Sequence, residues 1–225
     1  MSFFSQMDTY GDGYAGIGVW RAAFKPLVDR IADTDIRLQW FCCDRSTGVT
    51  DASGNRITLI RDTQSPVAVE YQAVKFIGTG RDNIKAGVFS GWELGDYIYL
   101  RSEEAYMIKM EALAHKGSAE AVTELNSFMK TRQPDYNYTF TNKADLIEEI
   151  IYQKRVEFWG EGLEYIDNRR LNIPVDRTDE TWGAENNNHF SAGKFRYNQE
   201  DRPFLYQLPL SEIENNSQLS PSDQN

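Results

Sequence analysis

The sequence predicts a mainly α-helical fold with irregular loops and a few short strands, built on a tetratricopeptide-like helical hairpin and a long C-terminal helix. Three observations predict this fold. Apolar residues recur at helical spacing from Leu100 onward, Gly117 separates two such stretches, and a third stretch runs through residues 144–171. The chain has 225 residues, of which 40% are hydrophobic, which is enough for a sizeable core in one domain or at most two.

Residues 1–99 precede the helices and are rich in glycine, aspartate and aromatic side chains. A short helix is predicted in FKPLVDRIA (24–32), and apolar alternation predicts a strand in VAVEYQAVKFI (67–77). Glycines punctuate the segment from Tyr10 to Trp20, which is typical of a loop. We therefore expect a loop-rich region in front of a helical scaffold.

The predicted hairpin joins two amphipathic stretches at a glycine. In the first, Tyr106, Met110 and Leu113 share one helical face, and Gly117 supplies the stop signal. Ser118 is the expected N-cap of the second helix. The apolar stripe of that second helix consists of Ala121, Val122, Leu125, Phe128 and Met129. Two helices joined by so short a turn are expected to pack as an antiparallel αα-hairpin.

The long C-terminal helix is predicted from Ala144 to about Leu171, with an apolar face wide enough to be largely buried. Gly162 lies inside this stretch, where a glycine costs about 1 kcal/mol relative to alanine. Close approach of another backbone is the usual compensation for such a cost. We therefore interpret Gly162 as a point where another element crosses the helix.

The carboxylates of this helix have two interpretations. Glu157 and Glu161 lie one helical turn apart, which satisfies the separation of ~5 to 10 Å that a glycosidase acid and nucleophile require. Alternatively, they pair with basic residues, because an unpaired charge on a buried helix is very costly. Nothing in the sequence supplies a sugar cleft around the two glutamates. We favour an ion-pair lattice that holds the helix to its neighbours, and we expect no enzyme activity.

Composition argues against several other classes of function. The net charge is −10 and no run of Lys or Arg forms a stripe, so nucleic acid is not an expected partner. The only cysteines, Cys42 and Cys43, are adjacent, and the only histidines are His115 and His189. We therefore predict no disulfide framework, no metal and no cofactor. No apolar run reaches the ~20 residues of a membrane-spanning helix, and the N-terminus carries no export signal.

Several segments, in one order along the chain, form a specific combination: ADTDIRLQWF (32–41), YLRSEEAYMIKMEALAHKG, LNSFMKTR, KRVEFWGEGLEYIDNRR and the ending YQLPLSEIENNSQLSPSDQN. This combination resembles the C-terminal part of the SusD/RagB family of glycan-binding outer-membrane lipoproteins. The positions similar to the family's helix signature are Arg155, Glu157, Glu161, Gly162, Asp167 and Arg170. Those similar to its closing pattern are Pro209, Glu212, Ile213 and Asn215. Ile36 and Glu164 depart from the pattern, where proline and a basic residue are usual, and family members are much longer.

The resemblance implies a protein that is not an enzyme. Family members hold oligosaccharides at the cell surface and cap a TonB-dependent (SusC-like) outer-membrane transporter, so both are the implied partners. Residues 1–225 would form a single C-terminal domain, with a loop-rich part as the candidate ligand-facing region (1–99), a helical scaffold (100–171) and a loop-rich tail (172–225). Membrane association would come only from an N-terminal lipid upstream of residue 1. The signature helix would then belong to the scaffold, and loops would contact the sugar.

Two loops have the aromatic and amide composition that sugar binding requires. The first offers Tyr10, Tyr14 and Trp20 among glycines, and the second, ETWGAENNNHF, offers Trp182 and Asn187. In either loop the aromatics could equally be core residues beneath an irregular segment, and the asparagines could be turn residues or helix caps. A helical-repeat scaffold for protein interactions, without any sugar ligand, is the alternative function.

Overall fold

The computed structural model of the chain describes residues 23–42, 71–73, 75, 99–201 and 207–223. The chain divides into two compact units, with the boundary between Gly160 and Glu161. The first unit contains the predicted hairpin and most of the buried apolar core, and the second contains short helices and a two-stranded sheet. The prediction of one domain with three sequence regions stays a prediction.

The described part of the first unit starts with a short helix, α1 (Lys25–Asp29), followed by a 3-10 helix at Ile36–Trp40. Pro26 lies in the first turn of α1, where its missing N–H costs nothing. Strands β1 (Phe41–Cys42) and β2 (Gln72–Ala73) then pair antiparallel, with Phe41 opposite Ala73. The predicted helix in 24–32 is confirmed, and the strand predicted in 67–77 is present at Gln72–Ala73.

The αα-hairpin is formed by α2 (Ser102–His115) and α3 (Glu120–Met129). Gly117 takes a φ of 71° in the turn, a left-handed conformation that glycine adopts without strain. The rings of Tyr106 and Phe128 are 6.3 Å apart, and Lys109 pairs with Glu124 at 2.6 Å. Because these pairs run in opposite order along the two helices, the hairpin is antiparallel, as predicted.

The buried face of α2 differs from the predicted one. Met107, Met110 and Ala114 are buried against the core, whereas Tyr106 and Ile108 are half exposed. Apolar residues lie all around this helix, so periodicity could not select the face that packs. In α3 the predicted face is correct, since Ala121, Leu125 and Met129 are fully buried.

The stretch predicted as one long helix is two helices. Helix α4 (Lys143–Glu157) begins after Asn142, whose side chain accepts hydrogen bonds from the backbone N–H groups of Ala144 and Asp145. Helix α5 (Leu163–Leu171) belongs to the second unit and starts after Gly162. Helix α4 is nevertheless largely buried, as expected from its wide apolar face, and it is the longest helix of the described residues.

The interpretation of Gly162 as a helix-crossing point is wrong. Its φ is 85°, and a Cβ atom added to it would have no heavy atom within 4 Å. Gly160 also has a positive φ, of 79°. These glycines are required because the chain between α4 and α5 passes through left-handed conformations, which side chains with a Cβ rarely adopt.

The apolar core of the first unit joins α1, the 3-10 helix, β1 and α4. It consists of Ala23, Val28, Ile31, Leu38, Phe41, Tyr152 and Val156, with Leu27, Trp40, Tyr71 and Trp159 packed at its edge. Phe41 meets Trp159 edge to face with ring centroids 5.7 Å apart, a favourable arrangement of aromatic quadrupoles. The core therefore fixes residues 23–41 against the last turns of α4.

The second unit continues from α5 to β3 (Val175–Asp176), α6 (Asp179–Trp182), a 3-10 helix at Ser191–Gly193, β4 (Arg196–Tyr197), α7 (Leu210–Asn215) and a 3-10 helix at Pro221–Asp223. Strands β3 and β4 pair antiparallel. Gln199 donates to the carbonyl of Ile173 and its own carbonyl accepts from Arg169, so side-chain hydrogen bonds hold the irregular segments. The predicted mainly α fold with a few short strands is confirmed.

Candidate functional site

The signature glutamate Glu157 lies at the centre of a buried cluster of charges. It is the last residue of α4, and only 1% of its surface is exposed. Its Oε1 atom accepts from Arg101 at 2.9 Å and from Arg132 at 3.1 Å, and its Oε2 atom faces Arg132 and Arg37 at 3.3 and 3.5 Å. Three guanidinium groups thus surround one carboxylate.

Electrostatics keep this carboxylate ionised. Burial alone would raise the pKa of Glu157, but hydrogen bonds from Arg132 and Arg101 and the charge of Arg37 together lower its pKa below the ordinary value. Arg37 is itself 1% exposed and is paired with Asp35 at 2.7 Å. Buried charges of this kind are tolerated only when they are paired and hydrogen-bonded, as they are here.

The charge cluster connects distant parts of the first unit. Arg37 comes from the 3-10 helix, Arg101 from the start of α2, and Arg132 from the end of the hairpin. Arg101 and Lys75 also donate to the backbone carbonyl of Glu157 at 2.9 and 2.7 Å, where the C-terminus of α4 favours cations. The ion-pair lattice predicted for this helix is confirmed at Glu157.

This geometry gives Glu157 a structural role. With three guanidinium partners and almost no exposure, the carboxylate offers no surface to a substrate and no proton at neutral pH. Glu161 lies beyond the end of α4, so the two glutamates are not neighbours on one helical face. The arrangement therefore holds the scaffold together in the manner of a buried ion network.

The remaining signature residues divide between the two units. Arg155 is half-buried on α4, and Gly162 precedes α5. On α5, Asp167 is buried and pairs with Arg170 at 2.7 Å, three residues away on the same helix. The signature is thus a structural pattern that ends one helix and begins the next.

The sequence did not identify Arg37, Arg101 and Arg132 as the partners of Glu157. In the sequence, Asp35 and Arg37 lie in the ADTDIRLQWF segment and Glu157 lies in a distant one, and the structure shows that the three residues form one network. Two buried motifs of complementary charge in one chain are the signal that could have predicted this contact.

The second candidate loop, ETWGAENNNHF, lies in the second unit. Asn187 is buried, and its amide donates to the Arg177 carbonyl at 3.0 Å and to the Asp179 carboxylate at 2.8 Å. Its side-chain oxygen accepts from the backbone N–H of His189. Asn187 therefore braces the loop, and its polar atoms are already engaged.

Trp182 ends α6 and is 37% exposed. Its indole N–H donates to the carbonyl of Asp176 at 2.9 Å, which fixes the orientation of the ring. The Asp176 carboxylate in turn accepts from Thr178 and Thr181 and pairs with Arg196. The residue to which the Trp182 indole is bonded is therefore itself fixed. Because its N–H is already bonded, Trp182 offers a ligand an aromatic surface in a fixed orientation and no hydrogen-bond donor.

Tyr10, Tyr14 and Trp20, the residues of the first candidate loop, lie outside the described residues. Across the described ranges, no group of three His, Cys, Asp or Glu side chains could hold a metal ion. No helix in the same ranges combines the length and the apolar character needed to cross a membrane.

Comparisons with known proteins show what the chain is similar to. The sequence model of the SusD family (SusD_RagB) matches residues 71–225. The solved structure of a SusD-like carbohydrate binding protein from Bacteroides vulgatus ATCC 8482 superposes with a TM-score of 0.61 at 20% identity. That match covers 96% of this chain and 44% of the other, so the chain spans less than half the length of the solved protein. No curated protein matches the chain.

Proposed function

The chain belongs to the SusD family, and from this premise we propose that it is the oligosaccharide-binding component of a surface glycan-uptake complex. The proposal rests on the fixed orientation and partial exposure of the Trp182 ring, together with the family membership. A ring fixed by its N–H and partly exposed is suited to stack on the C–H face of a pyranose. The solved SusD-like protein is described as carbohydrate binding, which supports the same ligand class.

The proposed role is binding without chemistry. Glu157, the acid most prominent in the signature, is enclosed by arginines and serves the scaffold. The finer parts of the proposal follow the family resemblance: a TonB-dependent (SusC-like) transporter as the partner, the outer membrane as the location, and a lipid upstream of residue 1 as the anchor. A surface binding protein of this kind raises the local concentration of glycan at the transporter.

Calorimetric titration with a panel of neutral glycans tests the proposal. We expect Trp182→Ala or Trp20→Ala to weaken binding, because each removes a stacking ring, worth about 1 kcal/mol or roughly fivefold in affinity. Leu210→Ala is the matched control, since Leu210 is an exposed apolar residue on α7. If both tryptophan variants bind as tightly as the parent, neither loop is the sugar platform, and if the parent binds no glycan, the proposed function is wrong.

A second candidate function is a helical-repeat scaffold for protein interactions. Tyr106 and Ile108 on α2 favour it, because each of these apolar side chains is half exposed and offers surface that a protein partner could cover. Tyr106→Ser with Ile108→Ser would abolish binding of a protein partner but leave glycan affinity unchanged. The same pair of substitutions therefore separates the two functions.

A further inference from the structure

A cleft in the first unit is lined by residues that belong to neither candidate loop. Its volume is about 330 Å³, within the range of roughly 300 to 1,000 Å³ that small-molecule sites occupy. One wall is the segment from Arg30 to Asp35, the second is the segment from Gln133 to Tyr138 that follows α3, and the floor is α4. All of its lining residues belong to the described part of the chain.

The floor of the cleft is a fixed carboxylate. Glu149 on α4 is buried, and its Oε1 atom accepts from the Tyr136 hydroxyl at 2.8 Å and from Gln153 Nε2 at 2.6 Å. Its Oε2 atom pairs with Arg30. Burial and the charge of Glu149 raise the pKa of Tyr136, so the phenol stays a hydrogen-bond donor. These bonds preorganise the cleft before any ligand enters.

Three tyrosines supply the apolar surface. The rings of Tyr136 and Tyr138 are nearly parallel, at 16° and 6.5 Å. The Tyr138 hydroxyl donates to the carbonyl of Asp145 at 2.9 Å, and the Tyr152 hydroxyl donates to the carbonyl of Leu27 at 3.3 Å. The guanidinium of Arg30 covers one face of Tyr152 at 3.8 Å. Because every hydroxyl is tethered, the rings are held in place. Tyr136 and Tyr152 are each 8% exposed, so the half-buried Tyr138 supplies most of the accessible ring surface.

The charges and rim groups of the cleft select the ligand class. Arg30 is paired with Glu149, and Asp35 with Arg37, so those charges are compensated. Asp135, whose carboxylate accepts from the Thr34 hydroxyl, leaves the rim acidic. Anionic ligands are therefore disfavoured. The exposed Asn137 amide and the half-buried Gln133 can both donate to and accept from hydroxyls, and the outer N–H groups of Arg30 can donate to them.

We propose that this cleft is a sugar subsite that takes one neutral pyranose unit of the glycan. Tyrosine faces would contact the C–H surface of the sugar, while Asn137, Gln133 and Asp135 would read its hydroxyls. A volume of 330 Å³ lies at the small end of ligand sites, which suits a single pyranose unit and excludes a longer stretch of chain. This inference rests on the proposed function and assigns it a second, separate place of contact.

The test uses amide chemical shifts of the protein during titration with methyl α-glucoside, methyl α-mannoside, methyl β-galactoside and maltose. We expect at least one of these sugars to shift the amides of residues 133–138 in a saturable manner. Ala32 lines the cleft, so Ala32→Phe should fill it and abolish those shifts. Asn137→Ala should weaken binding about three- to tenfold, the effect of losing one hydrogen bond.

Gln218→Ala is the control, because Gln218 is an exposed amide in the second unit. Shifts at residues 133–138 that survive in Ala32→Phe would overturn the proposal, and so would the absence of such shifts with all four sugars. If a sugar shifts only amides around Trp182, the subsite is wrong while the proposed function stands. If a cationic peptide and no sugar saturates the cleft, it is a protein-docking site and the sugar proposal is overturned.

Discussion

Replacing Glu157 by glutamine tests the charge cluster that joins the first unit. The amide keeps the shape of the side chain but removes the negative charge from three guanidinium groups. Arg101 and Arg132 have side chains 18% and 20% exposed, so water can partly solvate them. Arg37 is 1% exposed, and among the described residues Asp35 would be its one remaining charged partner. Breaking a buried pair typically costs about 3 to 5 kcal/mol, and most of it should come from Arg37.

Urea unfolding followed by circular dichroism measures this cost directly. A loss of about 3 to 5 kcal/mol corresponds to a fall in Tm of roughly 6 to 20 °C for a chain of this size. Glu103→Gln is the matched control, because Glu103 contacts Arg132 from a side chain that is 29% exposed and should lose less than about 1 kcal/mol. If Glu157→Gln loses no more than Glu103→Gln, the cluster does not stabilise the scaffold and the reasoning fails.

Three further predictions concern pH, the interhelical glycine and catalysis. Folding lowers the pKa of Glu157 from its ordinary value of 4.5. The ionised carboxylate therefore stabilises the fold fully above about pH 5, and this stabilisation is lost as the pH falls through the pKa of the folded state. In urea titrations, the unfolding free energy of Glu157→Gln should therefore depend less on pH below about 5 than that of the parent. Gly162→Ala and Gly162→Leu should lower the unfolding free energy by a similar amount, about 1 kcal/mol, because both residues must adopt a positive φ while the space around the Cβ position is open. A much larger loss of stability for Gly162→Leu in thermal unfolding would restore the interpretation of Gly162 as a crossing point. Incubation with glycans should release no new reducing ends, and cleavage that disappears in Glu157→Gln or Glu161→Gln would refute the scaffold role.

Most features of the fold that could be predicted from the sequence follow from short-range patterns of residues. The hairpin was predictable because a glycine stop and the stripe through Ala121, Leu125 and Met129 are short-range features. The end of α4 could not be predicted, because Phe158 and Trp159 continue the apolar pattern beyond the helix. The left-handed φ of Gly162 does not change the hydrophobic periodicity. Positive φ at a glycine and tight packing at a glycine look identical in sequence.

The site was less predictable, because its contacts are long-range. Glu157 is 120 residues from Arg37 and 56 from Arg101, and no local rule pairs side chains over such distances. The cleft likewise joins Arg30 to Glu149 across 119 residues, so no single segment contains its composition. For Asn187, the loop composition suggested a ligand contact, whereas in the structure its amide donates to the backbone carbonyl of Arg177. Amide side chains in loops often bond to the polar backbone groups around them.

Isothermal calorimetry with neutral glycans is the sharpest test of the proposal that this protein binds glycan without cleaving it. We expect a saturable binding heat with at least one glycan, of modest affinity because ordering and desolvation offset much of the contact energy. The heat should return to the dilution baseline after each injection. No saturable heat with any glycan, or a continuing heat of hydrolysis after each injection, would contradict the account.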